Sequence, residues 1–380
     1  MKFLHTSDLH IGKVVNEFNM LEDQKHILKQ IVSIAVEEKV DGVIIAGGIY
    51  DRPIPPADAV KVLDHFLTTL IDKGIKVLAI NGNHDSSERL SFVNSLLEDK
   101  GLFLAATFQG DLKKVEMEDE FGQVFIYLMP YVKPQLVREF YQKPIDSYDK
   151  MVQVILEDTS INLNARNILV GHHFVTNGGK EPELSDSETQ LRVGGADNVD
   201  ASNFENFDYT ALGHIHRPQK IGGKHVYYAG SPIKYSFSEV SHIKAVNIVE
   251  LKEKGEIKVT KRQLSPLHDM RKIKGKLLDL IKEEVYSLGD VEDYISATLT
   301  NDEELIDPIG TLRSVYPNIM QIIIEKNITQ TEVDKESSSR LKNKTTLELF
   351  EDFFELVTDR NVDEPRKQVM IDAMGKAGEV

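Results

Sequence analysis

Asp8 and His10 stand two residues apart, and so do His214 and His216. At the end of a strand, side chains at i and i+2 point the same way, so each pair aims two ligand atoms at one place. One hard carboxylate among neutral imidazoles suits Mn2+, Fe2+ or Zn2+. Three further segments carry the same residue types beside glycines: Gly47-Gly48-Ile49-Tyr50-Asp51-Arg52, Gly82-Asn83-His84-Asp85 and Gly171-His172-His173. Asn83 offers an amide oxygen as ligand, next to His84, whose imidazole reads as non-ligating. A lone Asp-x-His arises by chance; the ordered set is what carries specificity.

His5, His26, His65, His225, His242 and His268 fall outside these segments and read as ordinary core or surface residues. Of His172 and His173, one reads as a ligand and the other as its neighbour, with Gly171 at a strand end favouring His172. Asp51, Arg52 and Asp85 have two readings, as partners that orient ligands or as local caps and pairs. Arg52 is also a candidate phosphate contact.

These segments need elements to bring them together. Short β-rich runs are expected at 2–6, 42–46, 76–80, 124–128, 167–170, 209–212, 225–228, 245–251 and 256–262. They alternate with helical patterns at 21–38, 57–73, 88–100 and 149–158, the signature of an α/β architecture. Each ligand-rich segment begins where a strand ends, and ligands of open α/β sheets bind at the carboxyl ends of strands.

After Pro266 the pattern predicts a helix over 270–288, a strand over 293–299, a helix over 302–315 and a strand over 318–325, a small second α/β domain. Residues 328–345 are polar and rich in Ser, Lys, Asn and Thr, as a linker would be. Beyond them Leu347, Leu349, Phe350, Phe353, Phe354 and Val357 recur at helical spacing, a stripe that either packs on its own domain or docks onto another chain.

The chain has 380 residues, no cysteine and a net charge of −16. Length fits a large domain plus a smaller one. The absence of cysteine excludes disulfides and thiolate metal sites. The first motif starts too early to leave room for a signal peptide, and no run is long enough to span a membrane, so a cytoplasmic protein is expected. The acidic balance argues against unaided DNA binding, which usually depends on Lys and Arg.

Asp8-Leu9-His10-Ile11-Gly12-Lys13, Gly82-Asn83-His84-Asp85-Ser86 and Gly213-His214-Ile215-His216-Arg217-Pro218 resemble segments of the calcineurin-like metallophosphoesterase superfamily. More narrowly, they resemble the bacterial SbcD exonuclease family, counterpart of the nuclease of the MRN break-repair complex. The stretch Tyr228-Ala229-Gly230-Ser231-Pro232-Ile233-Lys234-Tyr235-Ser236-Phe237-Ser238-Glu239 is the most discriminating part of the likeness.

The resemblance implies a four-layered β-sandwich flanked by helices. Its expected parts are a nuclease domain at 1–265, an α/β DNA-capping domain at 266–327, the linker at 328–345 and a helical partner-docking segment at 346–380. It implies two Mn2+ ions, or Mg2+ or other divalent ions. Asp8, His10 and His216 would hold one, and Asn83, His172 and His214 the other, with His84 catalytic over the scissile phosphate. It further implies an exo- and endonuclease acting on double-stranded DNA ends and hairpins in repair, recombination and replication. The nuclease would be a homodimer, nucleoid-associated, partnered by a coiled-coil ATPase, SbcC.

One position departs from the family pattern. Where an aspartate bridging both metals is expected, the chain has Gly48. A carboxylate there offsets the repulsion of two cations about 3.5–4 Å apart. Three accounts are open: an active nuclease altered at one position, a natural scaffold without catalysis, or replacement of the bridge by water or by a neighbour such as Asp51. Retention of every other ligand favours the first, so an impaired nuclease is expected. The alternatives are a silent DNA-end tether and a small-molecule phosphodiesterase on the same fold.

Overall fold

The computed structural model describes residues 1–92, 97–188, 197–222, 225–325, 346–358 and 361–377. In chain order the strands of its two large sheets are β1 (Lys2–Thr6), β2 (Gly42–Ala46), β3 (Lys76–Ile80), β4 (Leu102–Ala105), β5 (Lys113–Asp119), β6 (Gly122–Leu128), β7 (Arg166–His172), β8 (Tyr209–Gly213), β9 (Gln219–Lys220), β10 (Val226–Tyr228), β11 (Ala245–Leu251) and β12 (Ile257–Gln263). One sheet runs β12-β11-β1-β2-β3-β4 and the other β9-β10-β8-β7-β6-β5. Their centres, β1 to β4 and β6-β7-β8-β10, are parallel, while β11, β12, β5 and β9 pair antiparallel at the flanks. The central strands are apolar on both faces, as parallel strands covered on both sides must be.

The two-residue alternation of strands sorts their side chains into layers. Phe3, Ile44, Leu78 and Ile80 meet Ile126, Leu128, Ile168, Val170 and Tyr209 between the sheets. Leu4, Val43, Ile45, Val77 and Ala79 face outward, under helices α1 (Leu21–Glu37) and α2 (Ala57–Asp72). Ile27, Leu28, Ile31 and Ala35 form the buried stripe of α1 at the three- and four-residue spacing of an amphipathic helix. On the far side, Tyr127, Leu169 and Leu212 pack under α3 (Pro134–Tyr141) and α4 (Tyr148–Asp158) through Val137, Met151 and Ile155. The result is four layers, helix-sheet-sheet-helix, as expected for this fold class.

Residues beyond 266 correct two expectations. The helix predicted over 270–288 is instead a strand, β13 (Met270–Gly275), followed by the short helices Leu277–Leu280 and Glu283–Tyr286. From Arg271 to Gly275 half-buried and exposed positions alternate, and the strand pairs in parallel with β14 (Tyr294–Leu299), so tertiary pairing overrides local helix propensity. The helix predicted over 302–315 shrinks to Pro308–Arg313, because Asp307 adopts a left-handed backbone (φ 43°) and caps it by accepting from the Gly310 N–H. The strand β15 (Ile319–Ile324) completes a parallel β13-β14-β15 sheet with its own core of Leu277, Ile295, Leu299, Leu312 and Tyr316. It is tied to α1 through Asp23, which accepts from Tyr294 Oη (2.7 Å) and the His268 N–H (3.1 Å). The helix expected over 88–100 is present as Ser87–Leu90, with 93–96 outside the described residues.

Residues 1–324 form one compact unit and 325–380 another. In the second, helices Thr346–Thr358 and Glu364–Ala377 make a pair carrying a Glu351–Lys367 bridge (2.5 Å). The linker expected at 328–345 lies outside the described residues.

Candidate metal centre

Loops leaving β1, β2 and β3 of one sheet meet the ends of β7 and β8 of the other. Backbone bonds lace the first two loops: Asp8 N–H to Gly47 O (3.0 Å), His10 N–H to Gly48 O (2.9 Å) and Ile11 N–H to Ile49 O (2.9 Å). Asp85, from the third loop, accepts from the N–H groups of Ile49 (3.0 Å), Tyr50 (2.8 Å) and Gly82 (2.7 Å). Burial pushes its carboxyl up to about 6 despite those bonds. Across the seam, the His214 N–H donates to both oxygens of Asp8 (3.1 and 3.0 Å), and His172 Nδ1 donates to Ala46 O (2.8 Å). The approach is so close at Gly213 that a Cβ there would lie 2.0 Å from Ala46 O.

Asp8 (φ 52°), His10 (φ 43°) and His214 (φ 96°) all hold left-handed backbones. Such conformations cost roughly 1–3 kcal/mol each and persist where the surroundings over-determine them, typically at functional sites. Here the cross-loop bonds supply that constraint.

Ligand atoms of Asp8, His10 and His216 lie within 4.8 Å of one another, and all three residues are buried. His10 Nε2 is 3.2 Å from His216 Nε2. On the other side, His172 Nε2 is 3.1 Å from Asn83 Oδ1, and the His172 and His214 rings stand 5.3 Å apart. Asp8 Oδ1 is 3.9 Å from both His10 Nε2 and His172 Nε2, on the wall shared by the two groups. A Cβ on Gly48 would lie 2.8 Å from this same oxygen. The His84 ring meets His10 edge-on at 5.2 Å.

The donor set fits a divalent cation. His172 Nδ1 must carry its proton to donate to a carbonyl, so the Nε2 lone pair faces the Asn83 oxygen. With the Asn83 oxygen turned to it at 3.1 Å, the two lone-pair donors converge on one place, as a cation site requires. Burial, chiefly, lowers the imidazoles' proton affinity: His172 to about 4, His214 to about 3 and His10 well below its ordinary value. For His84, burial and then the Lys13 ammonium lower it, against Asp51 and Asp8. Neutral imidazoles at neutral pH have lone pairs to give.

His173 takes no part. It turns into an aromatic pocket, 6.3 Å from the Tyr131 ring and 6.2 Å from Tyr148, with neither ring nitrogen hydrogen-bonded among the described residues. Asp51 pairs with Lys13 (2.7 Å), and Arg52 is exposed.

The calcineurin-like phosphoesterase family matches residues 1–218, and the family described as Type 5 capsule protein repressor C-terminal domain matches 266–358. The SbcD component of the SbcCD nuclease of Staphylococcus epidermidis is 32% identical over 368 residues, covering 96% of this chain and 95% of that protein. The chain belongs to the SbcD nuclease family. Among solved structures, a dimetal phosphatase from Danio rerio superposes with a TM-score of 0.42 at 12% identity, covering 69% of this chain and 96% of its own.

The stretch 228–239 lies directly behind the candidate ligands. Tyr235 Oη bonds Leu9 O, and Gln24 Nε2 reaches both His10 O (2.7 Å) and Tyr235 Oη (3.0 Å). Glu239 is fully buried and pairs with Lys244 Nζ (2.5 Å). Burial alone would raise its carboxyl, but Lys244 and His216 outweigh that and hold it low. Sequence reading missed Gln24, Ser187, Glu188 and Lys244. Gln24 sits unremarked in a helical stripe, and Ser187 and Glu188 lie in an irregular loop with no periodicity to mark them.

Proposed function

We propose that the chain is the nuclease component of an SbcCD-like complex, hydrolysing phosphodiester bonds at double-stranded DNA ends and hairpins with two Mn2+ ions. The observation that carries this reading is the match to an SbcCD nuclease component over 96% of the chain, which includes both the ligand cluster and the segment after Pro266. Asp8, His10 and His216 would hold one ion, and Asn83, His172 and His214 the other. When bound, such ions neutralise charge on the phosphate and lower the pKa of water. The chain's own contribution is positional. Left-handed loops at Asp8, His10 and His214 aim the donors, and Asp85 fastens the loops carrying Gly48 and Asn83. His84, neutral and beside His10, is placed to donate a hydrogen bond from its N–H to a phosphate oxygen or to the leaving oxygen, stabilising the charge that develops there.

The helix Thr346–Thr358, with Phe353 61% exposed, is the proposed docking element for a coiled-coil ATPase, as an apolar helix face in a groove. That partner would bring DNA to a chain whose charge of −16 repels it. A homodimer and a nucleoid-associated location belong to the same reading.

Gly48 is expected to impair cleavage, because no carboxylate at 48 reaches the ions. The test is Mn2+-dependent cleavage of linear and hairpin duplexes by the unsubstituted chain, Gly48→Asp and Gly48→Asn. The backbone at 48 is left-handed (φ 65°), which Asp and Asn tolerate better than most residues, and either side chain must displace the Asp8 backbone, since a Cβ at 48 would lie 2.8 Å from Asp8 Cα. The two variants therefore share the steric cost and differ in the carboxylate. Cleavage rising at least tenfold in Asp alone is the expected result. Equal rates in all three would mean the bridge is dispensable; nucleotide turnover without DNA cutting would favour the small-molecule phosphodiesterase.

A further inference from the structure

His216 is gripped at its N–H, its carbonyl and its Nδ1. The N–H donates to Glu188 Oε1 (2.7 Å), and the carbonyl accepts from Lys244 Nζ (2.9 Å). Nδ1 lies 2.7 Å from Ser187 Oγ, and the same hydroxyl bonds Glu239 Oε1. Glu239's other oxygen meets Lys244 Nζ, which also donates to Ser231 Oγ (2.8 Å). Ser187 arrives on a loop clasped to the turn Phe237–Glu239: the Asp186 N–H donates to Ser238 Oγ (2.9 Å), and Ser185 Oγ stands 2.8 Å from Ser187 Oγ.

The direction of these bonds follows from elementary chemistry. A carboxylate can only accept, so the single proton of Ser187 goes to Glu239. The hydroxyl oxygen then faces His216 Nδ1 with lone pairs, and the proton between them must be the imidazole's. A neutral His216 with its proton on Nδ1 has its lone pair on Nε2. That is the atom facing His10 Nε2 at 3.2 Å and grouped with Asp8. Such outer hydrogen bonds fix both tautomer and ring orientation of ligating histidines.

We infer that Ser187 and Glu239 are positioning residues for His216: the relay Glu239–Ser187–His216 fixes the Nδ1–H tautomer and keeps the Nε2 lone pair on the cation site. The inference deepens the two-metal reading and rests on it for the meaning of that lone pair. Glu239 thus has two tasks, countering the buried Lys244 ammonium and, through Ser187, orienting a ligand. Glu239, the last residue of the discriminating stretch, acquires a role through that second task.

The experiment uses the full chain labelled with 15N-histidine, in mildly alkaline buffer. Long-range 1H–15N spectra of the metal-free protein report the tautomer, with His216→Asn assigning the signal. Calorimetric titration with MnCl2 reports affinity without any cleavage. Ser187 is only half-buried, so Ser187→Ala should fold, and Ser187→Thr restores the hydroxyl. The unsubstituted chain and Ser187→Thr are expected to show the Nδ1–H form alone. Ser187→Ala should populate the Nε2–H form and bind Mn2+ roughly 10- to 100-fold more weakly. An unchanged tautomer and affinity in Ser187→Ala would overturn the relay. An unsubstituted chain that takes up no Mn2+ while Ser187→Ala still shifts the tautomer would leave the relay standing and overturn the two-metal reading.

Discussion

Strand parity separates His172 from His173. Ile168 and Val170 point between the sheets, and His172 continues that direction toward Asp8 and Asn83. Leu169 points to the outer layer, and His173 follows it under Tyr148. The expected outcome is that His172→Ala loses at least half of the bound Mn2+, measured by metal analysis after gel filtration. His173→Phe should bind Mn2+ as the unsubstituted chain does, since an aromatic ring still fills the pocket. Metal loss in His173→Phe would reverse the assignment. The same scale shows what Gly48 changes. Where its missing Cβ would stand, Asp8 Oδ1 lies equally distant from both groups, so Asp8 is the carboxylate that remains to be shared.

At the scale of elements, the proposed docking helix belongs to a compact unit of its own, residues 325–380. Deleting residues from Thr346 onward is expected to leave circular dichroism and Mn2+ uptake of the catalytic region unchanged and to abolish co-purification with the coiled-coil ATPase. Unchanged co-purification would rule out the helix as the docking element. The strands that carry the ligand candidates were legible in the sequence as short apolar runs, four of which (β2, β3, β7 and β8) run into a glycine at or just past the expected strand end. β5 was not legible: Lys113-Lys114-Val115-Glu116-Met117-Glu118-Asp119 is an edge strand whose outward residues are charged, which masks its inward Val115. β13 reads as a helix because Arg and Lys favour helices locally, and only its pairing with β14 reveals a strand. Within the site, the ligand candidates were legible as types at spacings. The grip on His216 was not, because Ser187 and Glu239 are far apart in sequence and meet only through the fold.

For the whole molecule, burying neutral histidines makes stability depend on acid. His5 and His173 fall to about 3, His214 to about 3 and His172 to about 4, from an ordinary value of 6.5, burial being the main cause in each. Below pH 6.5 the unfolded chain binds protons that the folded one refuses, so their contribution is complete above that pH and is lost as pH falls toward their folded values. Each adds a slope of about 1.4 kcal/mol per pH unit. Asp85, raised to about 6, works the other way between about 4 and 6 and offsets only one of them. Urea midpoints of the metal-free protein should therefore drop sharply between pH 7 and pH 5. A flat profile would show that these rings are not buried neutral.

The pairing of β1 with β11 also sets a timetable. Residues 2–6 leave the ribosome before their antiparallel neighbour, residues 245–251, which follows some two hundred and forty positions later. Until then the first sheet has an open flank, and Asp8 and His10 wait for His214 and His216. Long-range closure of this kind is slow. A half-made chain thus carries separated donors, and the candidate metal centre is assembled only when the sandwich is nearly whole.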